Sequence, residues 1–222
     1  VTTPPEQDLA ALAAATDRLQ ATLDGLDDAA VRGPSLLPGW SVGHVLTHLA
    51  RNADGMIHLV DWAATGEPSP MYASLEARES DIALGAGRPA DALVADVRDS
   101  AARLAGALDR FHSFGDAQLD RLVLFGAPRP GAVPDVPAYT VPWARIRELE
   151  IHHVDLGLPS YTPLDWPDEF VERALLGIHA AHGPVDVLGH PGEVLAWRLG
   201  RGTGPTVRLR DGGVPGDAPP WQ

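Results

Sequence analysis

Leu9, Leu12, Leu19, Leu23 and Leu26 recur at spacings of three, four and seven, the period of one amphipathic helix, with Thr3 as a candidate N-cap and Pro4-Pro5 in the first turn. The prolines of the segment Gly33 to Trp40 exclude helix there, and Ser41 is placed to cap a second helix running to about Gly66. A Pro/Gly-containing stretch to Pro70 follows, and then a shorter helical piece is predicted from about Tyr72 to Leu84. Pro89 reads as the first residue of another long helix, marked by Leu93, Val97, Leu104, Leu108 and Phe111. Between Phe125 and Pro142 the prolines are too dense for regular structure and predict a long crossing loop. Helix resumes at Val141 or Pro142 and carries Trp143, Ile146, Leu149 and His153 until Gly157 stops it. Four long helices with one long connection predict a mainly α chain whose residues 1–160 form a four-helix bundle.

Beyond Pro159 the pattern changes. An acidic start at Asp168-Glu169 leads into a helix ending near Gly183, and Glu193 to Leu199 and Thr206 to Arg210 alternate like strands around the turn Gly200 to Pro205. Residues 161–222 therefore read as a small C-terminal α/β unit.

Charge narrows the possible partners. Thirty acidic against 17 basic residues give a net charge of −13, which opposes phosphate backbones and anionic lipid, so nucleic acid is not an expected partner. No apolar run reaches the ~18 residues of a membrane span. The first residues have neither the basic start nor the apolar run of a signal peptide, and the expected location is cytoplasmic. There is no lysine, which biased codon composition explains, and no cysteine. Without cysteine the chain has no disulfide, thiolate ligand or sulfur nucleophile of its own, so any sulfur chemistry must use a sulfur supplied by a ligand.

Two helices hold polar residues that are hard to explain as surface. Val45, Leu49 and Met56 mark the buried face of the second helix; at about 100° per residue, His48 lies about 60° and Asn52 about 20° from Val45, so both point inward. On the last bundle helix Glu148 and His152 are four apart and emerge on one side. One histidine from one helix and a Glu/His pair from another match the protein ligands of a catalytic zinc site, with a fourth position open. The residues alone leave a second interpretation equally open: an inward histidine is often a hydrogen-bonded core residue, and Glu-x-x-x-His occurs in many helices. His44 reads as exposed or as support behind a ligand, His153 as packed core, and Asp54 and Asp155 as caps or helix surface.

The run Leu37-Pro38-Gly39-Trp40-Ser41-Val42-Gly43-His44-Val45-Leu46-Thr47-His48-Leu49-Ala50-Arg51-Asn52-Ala53-Asp54, with Arg147 to Gly157 and the later Trp166, resembles the mycothiol-dependent maleylpyruvate isomerase family, a branch of the DinB-like metal-binding four-helix bundles. The resemblance covers most of the chain. It implies that a divalent metal, usually zinc, is held by His48, Glu148 and His152, and that mycothiol places its thiol on the open position.

A free thiol, with pKa near ~8.5, is mostly protonated at neutral pH, and zinc would deprotonate it. The implied reaction is the cis-trans isomerisation of maleylpyruvate to fumarylpyruvate, with small-molecule thiol and electrophile as partners and a monomer or homodimer as the assembly. The family uses a C-terminal arginine for the anionic substrate. Arg201 is the best match as a catalytic group and Arg198 the competitor, while Arg51 and Asn52 are candidate substrate contacts. Two further readings stay open: a mycothiol S-transferase acting on another electrophile, and a non-enzymatic metal-containing binding or stress protein.

Overall fold

The computed structural model describes residues 6–218, so the expected Thr3 cap and Pro4-Pro5 start lie outside the described residues. The chain divides after Leu156 into two compact units. No helix among the described residues is long and apolar enough to cross a membrane.

The first unit is a four-helix bundle of α1 (Glu6–Leu23), α3 (Val42–Thr65), α5 (Ala90–Leu108) and α7 (Val141–Asp155). Between these run the short helices α2 (Asp28–Arg32), α4 (Leu75–Gly85) and α6 (Asp116–Leu119) and a two-residue antiparallel ribbon, β1 (Leu122–Val123) with β2 (Val136–Pro137). α3 packs against α5, α4 and α7, and α1 closes on α7 and α5. Leu19, Leu23, Leu46, Leu49, Met56, Leu59, Leu93, Leu108 and Leu149 are almost fully buried where these helices meet. Each contributes roughly 1.5–3 kcal/mol of hydrophobic stabilisation, which holds the frame rigid enough to position polar groups.

The boundaries of α3 follow from local chemistry. Ser41 Oγ accepts from the His44 N–H while His44 Nδ1 accepts from the Ser41 N–H at 3.1 Å, a reciprocal cap; Gly66, at φ 84°, closes the far end. Pro89 stands one residue before α5 instead of opening it, because its ψ of 154° keeps it extended. α4 begins at Leu75, three residues later than the pattern predicts, because Ser74 Oγ accepts from the Ala77 N–H at 3.0 Å. Met71, Tyr72 and Ala73 are thereby left in the preceding connection.

α4 lies close to α3 because glycines open the contact. A Cβ on Gly43 would overlap the Ala86 carbonyl oxygen, and one on Gly85 would overlap the Thr47 methyl. Gly43→Ala gains helix propensity but must push α4 away. It is expected to lower the unfolding free energy by about 1–3 kcal/mol, read as a lower denaturant midpoint at unchanged slope.

The second unit contains α8 (Asp168–His182) packed on α9 (Pro191–Arg198), with β3 (Val187–Leu188) antiparallel to β4 (Arg208–Leu209). It is a small α/β unit, but the strand expected over Glu193 to Leu199 is helix α9. Pro191 occupies the first turn and His190 Nδ1 accepts from the Gly192 N–H, two helix-start signals that outweigh a short apolar run whose periodicity is ambiguous. The segment Thr206 to Arg210 forms only β4, and its partner is β3.

Candidate metal centre

Two rungs join α3 to α7. His48 Nε2 lies 2.9 Å from Glu148 Oε2, and one turn further along α3 the Asn52 Oδ1 accepts from Arg145 Nη1 at 2.7 Å. Numbers rise along α3 as they fall along α7, so the helices run antiparallel and the rungs are adjacent. One turn beyond Glu148, His152 brings its Nε2 to 3.6 Å from the same carboxylate oxygen. The His48 and His152 rings stand 4.7 Å apart and nearly perpendicular, with the Trp40 ring 5.8 Å from His48 on another side. One ligand atom from each of His48, Glu148 and His152 lies within 4.8 Å of the others.

Burial pushes the His48 imidazole toward its neutral form, against the pull of Glu148. Arg78 Nη2 contacts His48 Nδ1 at 3.2 Å. A guanidinium only donates, so Nδ1 is the acceptor there and the proton sits on Nε2, which donates to Glu148. Burial alone would raise the Glu148 carboxyl, but the hydrogen bond from His48 and the surrounding positive charge, Arg145 included, outweigh it and hold Glu148 well below the usual carboxylate range. Glu148 is therefore an anion at any physiological pH. Arg145 is almost entirely buried, with no partner for its Nη2, and desolvation pulls its pKa down to about 10. Tyr72 reaches the same region from the connection before α4; burial raises its phenol, against the lowering influence of Arg78 and Asn52.

Two imidazole nitrogens and an ionised carboxylate oxygen, drawn from two rigid helices, are a donor set that fits a divalent ion with one position left open. His152 is already set for this. Its Nδ1–H donates to the Oδ2 of fully buried Asp155 at 2.8 Å, which keeps the proton on Nδ1 and leaves the Nε2 lone pair facing Glu148.

The other expected residues lie as follows. Asn52 is buried one turn below His48, clamped by Arg145. Arg51 is engaged in ion pairs with Asp96 at 2.6 Å and Asp54 at 3.0 Å. Asp54 also pairs with Arg103. His44 serves the α3 cap, and buried His153 meets the Thr22 hydroxyl at 2.8 Å.

In the second unit, Arg201 Nη1 donates to the Leu199 carbonyl at 2.6 Å. Arg198 is buried, with no hydrogen-bond partner for Nε or Nη2. Asp155 corrects the expectation of a cap or surface residue: it is wholly buried behind His152, an arrangement that the His152/Asp155 spacing of three on one helix could have signalled. Tyr72, Arg78 and Arg145 had no signal in the sequence, since only the pairing of helices brings them to the trio.

A helical bundle with an inward His/Glu/His trio places the chain among bundle proteins whose site is built from facing helices. The family profile for the mycothiol maleylpyruvate isomerase N-terminal domain matches residues 12–157, and the chain belongs to that family of enzymes. The fold is similar to the crystal structure of the mycothiol-dependent maleylpyruvate isomerase, with a TM-score of 0.84 and 30% identity over 98% of this chain and 97% of that one. A crystal structure of a histidine-to-alanine mutant of that isomerase matches with the same values. Comparison with curated proteins finds no match.

Proposed function

We propose that this protein is a metal- and mycothiol-dependent isomerase converting maleylpyruvate to fumarylpyruvate, with zinc held by His48, Glu148 and His152. The observation that carries this reading is the convergence of those three side chains, within 4.8 Å of one another, in a chain of this family. Bound together, metal and thiol supply one piece of chemistry: a thiolate, stable at neutral pH, that adds reversibly to an activated double bond and lets it rotate.

The chain's own residues prepare that chemistry. Glu148 is ionised and offsets part of the ion's charge, while His48 is held neutral by burial and can lend a nitrogen lone pair. Asp155 fixes the orientation of His152. The Trp40 ring meets the His48 ring edge to face at 5.8 Å and adds an apolar contact beside it. Asn52, immobilised by Arg145, is the candidate substrate contact on α3, and Arg51 would serve only if it left its carboxylate partners. Arg201 remains the catalytic candidate of the second unit. Arg198 competes with it, because its buried nitrogens lack partners.

The absence of cysteine supports the requirement for an external thiol. Metal-loaded protein is expected to isomerise maleylpyruvate only when mycothiol is added. Full turnover in thiol-free buffer would overturn the mechanism. Accumulation of a stable thiol adduct in place of the isomer would identify an S-transferase.

A further inference from the structure

Arg78 is the partly exposed cation of the site. It lies on the first turns of α4, and its guanidinium contacts two things: His48 Nδ1 at 3.2 Å and the face of Tyr72 at 5.7 Å. Arg51 on α3, Arg88 just before α5 and Arg103 on α5 are paired with carboxylates, whereas among the described residues neither of the two arginines that reach the trio, Arg78 and Arg145, forms an ion pair, and of these two only Arg78 is partly exposed. An arginine beside an ionised ligand cluster, held only by a ring nitrogen and a ring face, is poised for another anion.

The contact with His48 also conflicts with metal binding. While Arg78 donates to Nδ1, the His48 proton must stay on Nε2, the nitrogen facing Glu148. A neutral His48 that lends its Nε2 lone pair to an ion must carry its proton on Nδ1, and Arg78 then meets another donor. The two donors repel, so loading the site releases the guanidinium. The Tyr72 ring holds it by cation–π attraction and limits how far it travels. Gly43 and Gly85 let α4 pack directly on α3, which keeps Arg78 beside the trio.

We propose that Arg78 is the carboxylate-binding residue of the metal-binding unit: its guanidinium, held here on His48 Nδ1, is displaced when His48 gives its Nε2 lone pair to an ion, and then grips a carboxylate of the electrophile. This deepens the proposed function and rests on it. Anion recognition is then switched on only when the chemistry is available, since the same event that fills the trio liberates the cation. A planar guanidinium suits the task because it offers two parallel N–H donors to a carboxylate.

The test uses zinc, maleate and its dimethyl ester, with no thiol present. Zinc affinity is measured by competition with a chromophoric chelator, and maleate binding to zinc-loaded and metal-free protein by calorimetry, for wild type, Arg78→Ala and Arg78→Lys. Arg78→Ala is expected to bind zinc as tightly as wild type or tighter, because a competing donor and a repelling charge are gone, while losing roughly tenfold or more in maleate affinity, the scale of a charged hydrogen bond. Arg78→Lys should recover part of that loss, and the ester should bind wild type and Arg78→Ala alike. Nitrogen NMR of the metal-free wild type should show the His48 proton on Nε2, moving to Nδ1 on zinc loading.

Equal maleate affinity in zinc-loaded wild type and Arg78→Ala overturns the assignment to Arg78 and leaves the metal reading intact, shifting the search to Arg201 and Arg198. Failure of the wild type to bind stoichiometric zinc overturns the metal reading itself. Maleate binding of equal strength with and without zinc overturns the release step.

Discussion

His48→Ala, Glu148→Gln and His152→Ala are each expected to lose stoichiometric metal and to lower kcat/KM by on the order of a thousandfold or more, which corresponds to about 4 kcal/mol of lost transition-state stabilisation. A bundle that presents three ligand atoms within 4.8 Å of one another has none to spare, since a two-ligand remnant leaves two positions to solvent. Metal content by elemental analysis of protein purified without chelator, set beside the initial rate with mycothiol, checks the expectation. Full metal retention in both histidine variants would remove this trio from the mechanism. Glu148→Gln has a further consequence for the metal-free fold. The Glu148 carboxyl is held below its unfolded value of 4.5, so its stabilising contribution is complete above that pH and is lost progressively as pH falls below it. The metal-free wild type should therefore weaken on acidification through this range, and Glu148→Gln should lose the part of that decline due to Glu148.

The three ligand candidates were legible in the sequence because each needs only the geometry of its own helix. His48 lies near the face marked by Val45 and Leu49, and Glu148 and His152 share a side of α7. The caps were legible for the same reason, Ser41 and Gly66 being local signals at the two ends of α3. Arg145 was not, because its meaning depends on Asn52 arriving from an antiparallel neighbour 93 residues away in sequence. Arg78 was hidden for a related reason: it stands beside His48 because α4 settles on α3 at Gly43 and Gly85, and Tyr72, whose ring faces the Arg78 guanidinium, was hidden with it. The error over Glu193 to Leu199 arose from the opposite cause. Seven largely apolar residues carry too few repeats to separate a period of 2 from one of 3.6, and the deciding signal, Pro191 in the first turn, lay just outside the window.

Asp155→Asn is expected to lower zinc affinity by roughly 10–100-fold while leaving all three ligands in place. Asp155 is completely buried and its Oδ2 stands 2.8 Å from His152 Nδ1. An ionised carboxylate can only accept, so it keeps the His152 proton on Nδ1 and the lone pair on Nε2, toward Glu148 and His48. Asparagine is nearly isosteric but can turn its NH2 group to the imidazole, which favours the tautomer with Nε2 protonated and therefore unable to bind an ion. The geometry would survive and the electron pair would face the wrong way, the same logic by which an amide in place of a buried carboxylate disables a catalytic histidine. Chelator competition gives the affinity directly, and raising free zinc should restore much of the activity that Asp155→Asn loses, whereas His152→Ala should not recover. A zinc affinity within twofold of wild type would show that His152 is oriented by its helix alone and that Asp155 serves packing instead of the ion.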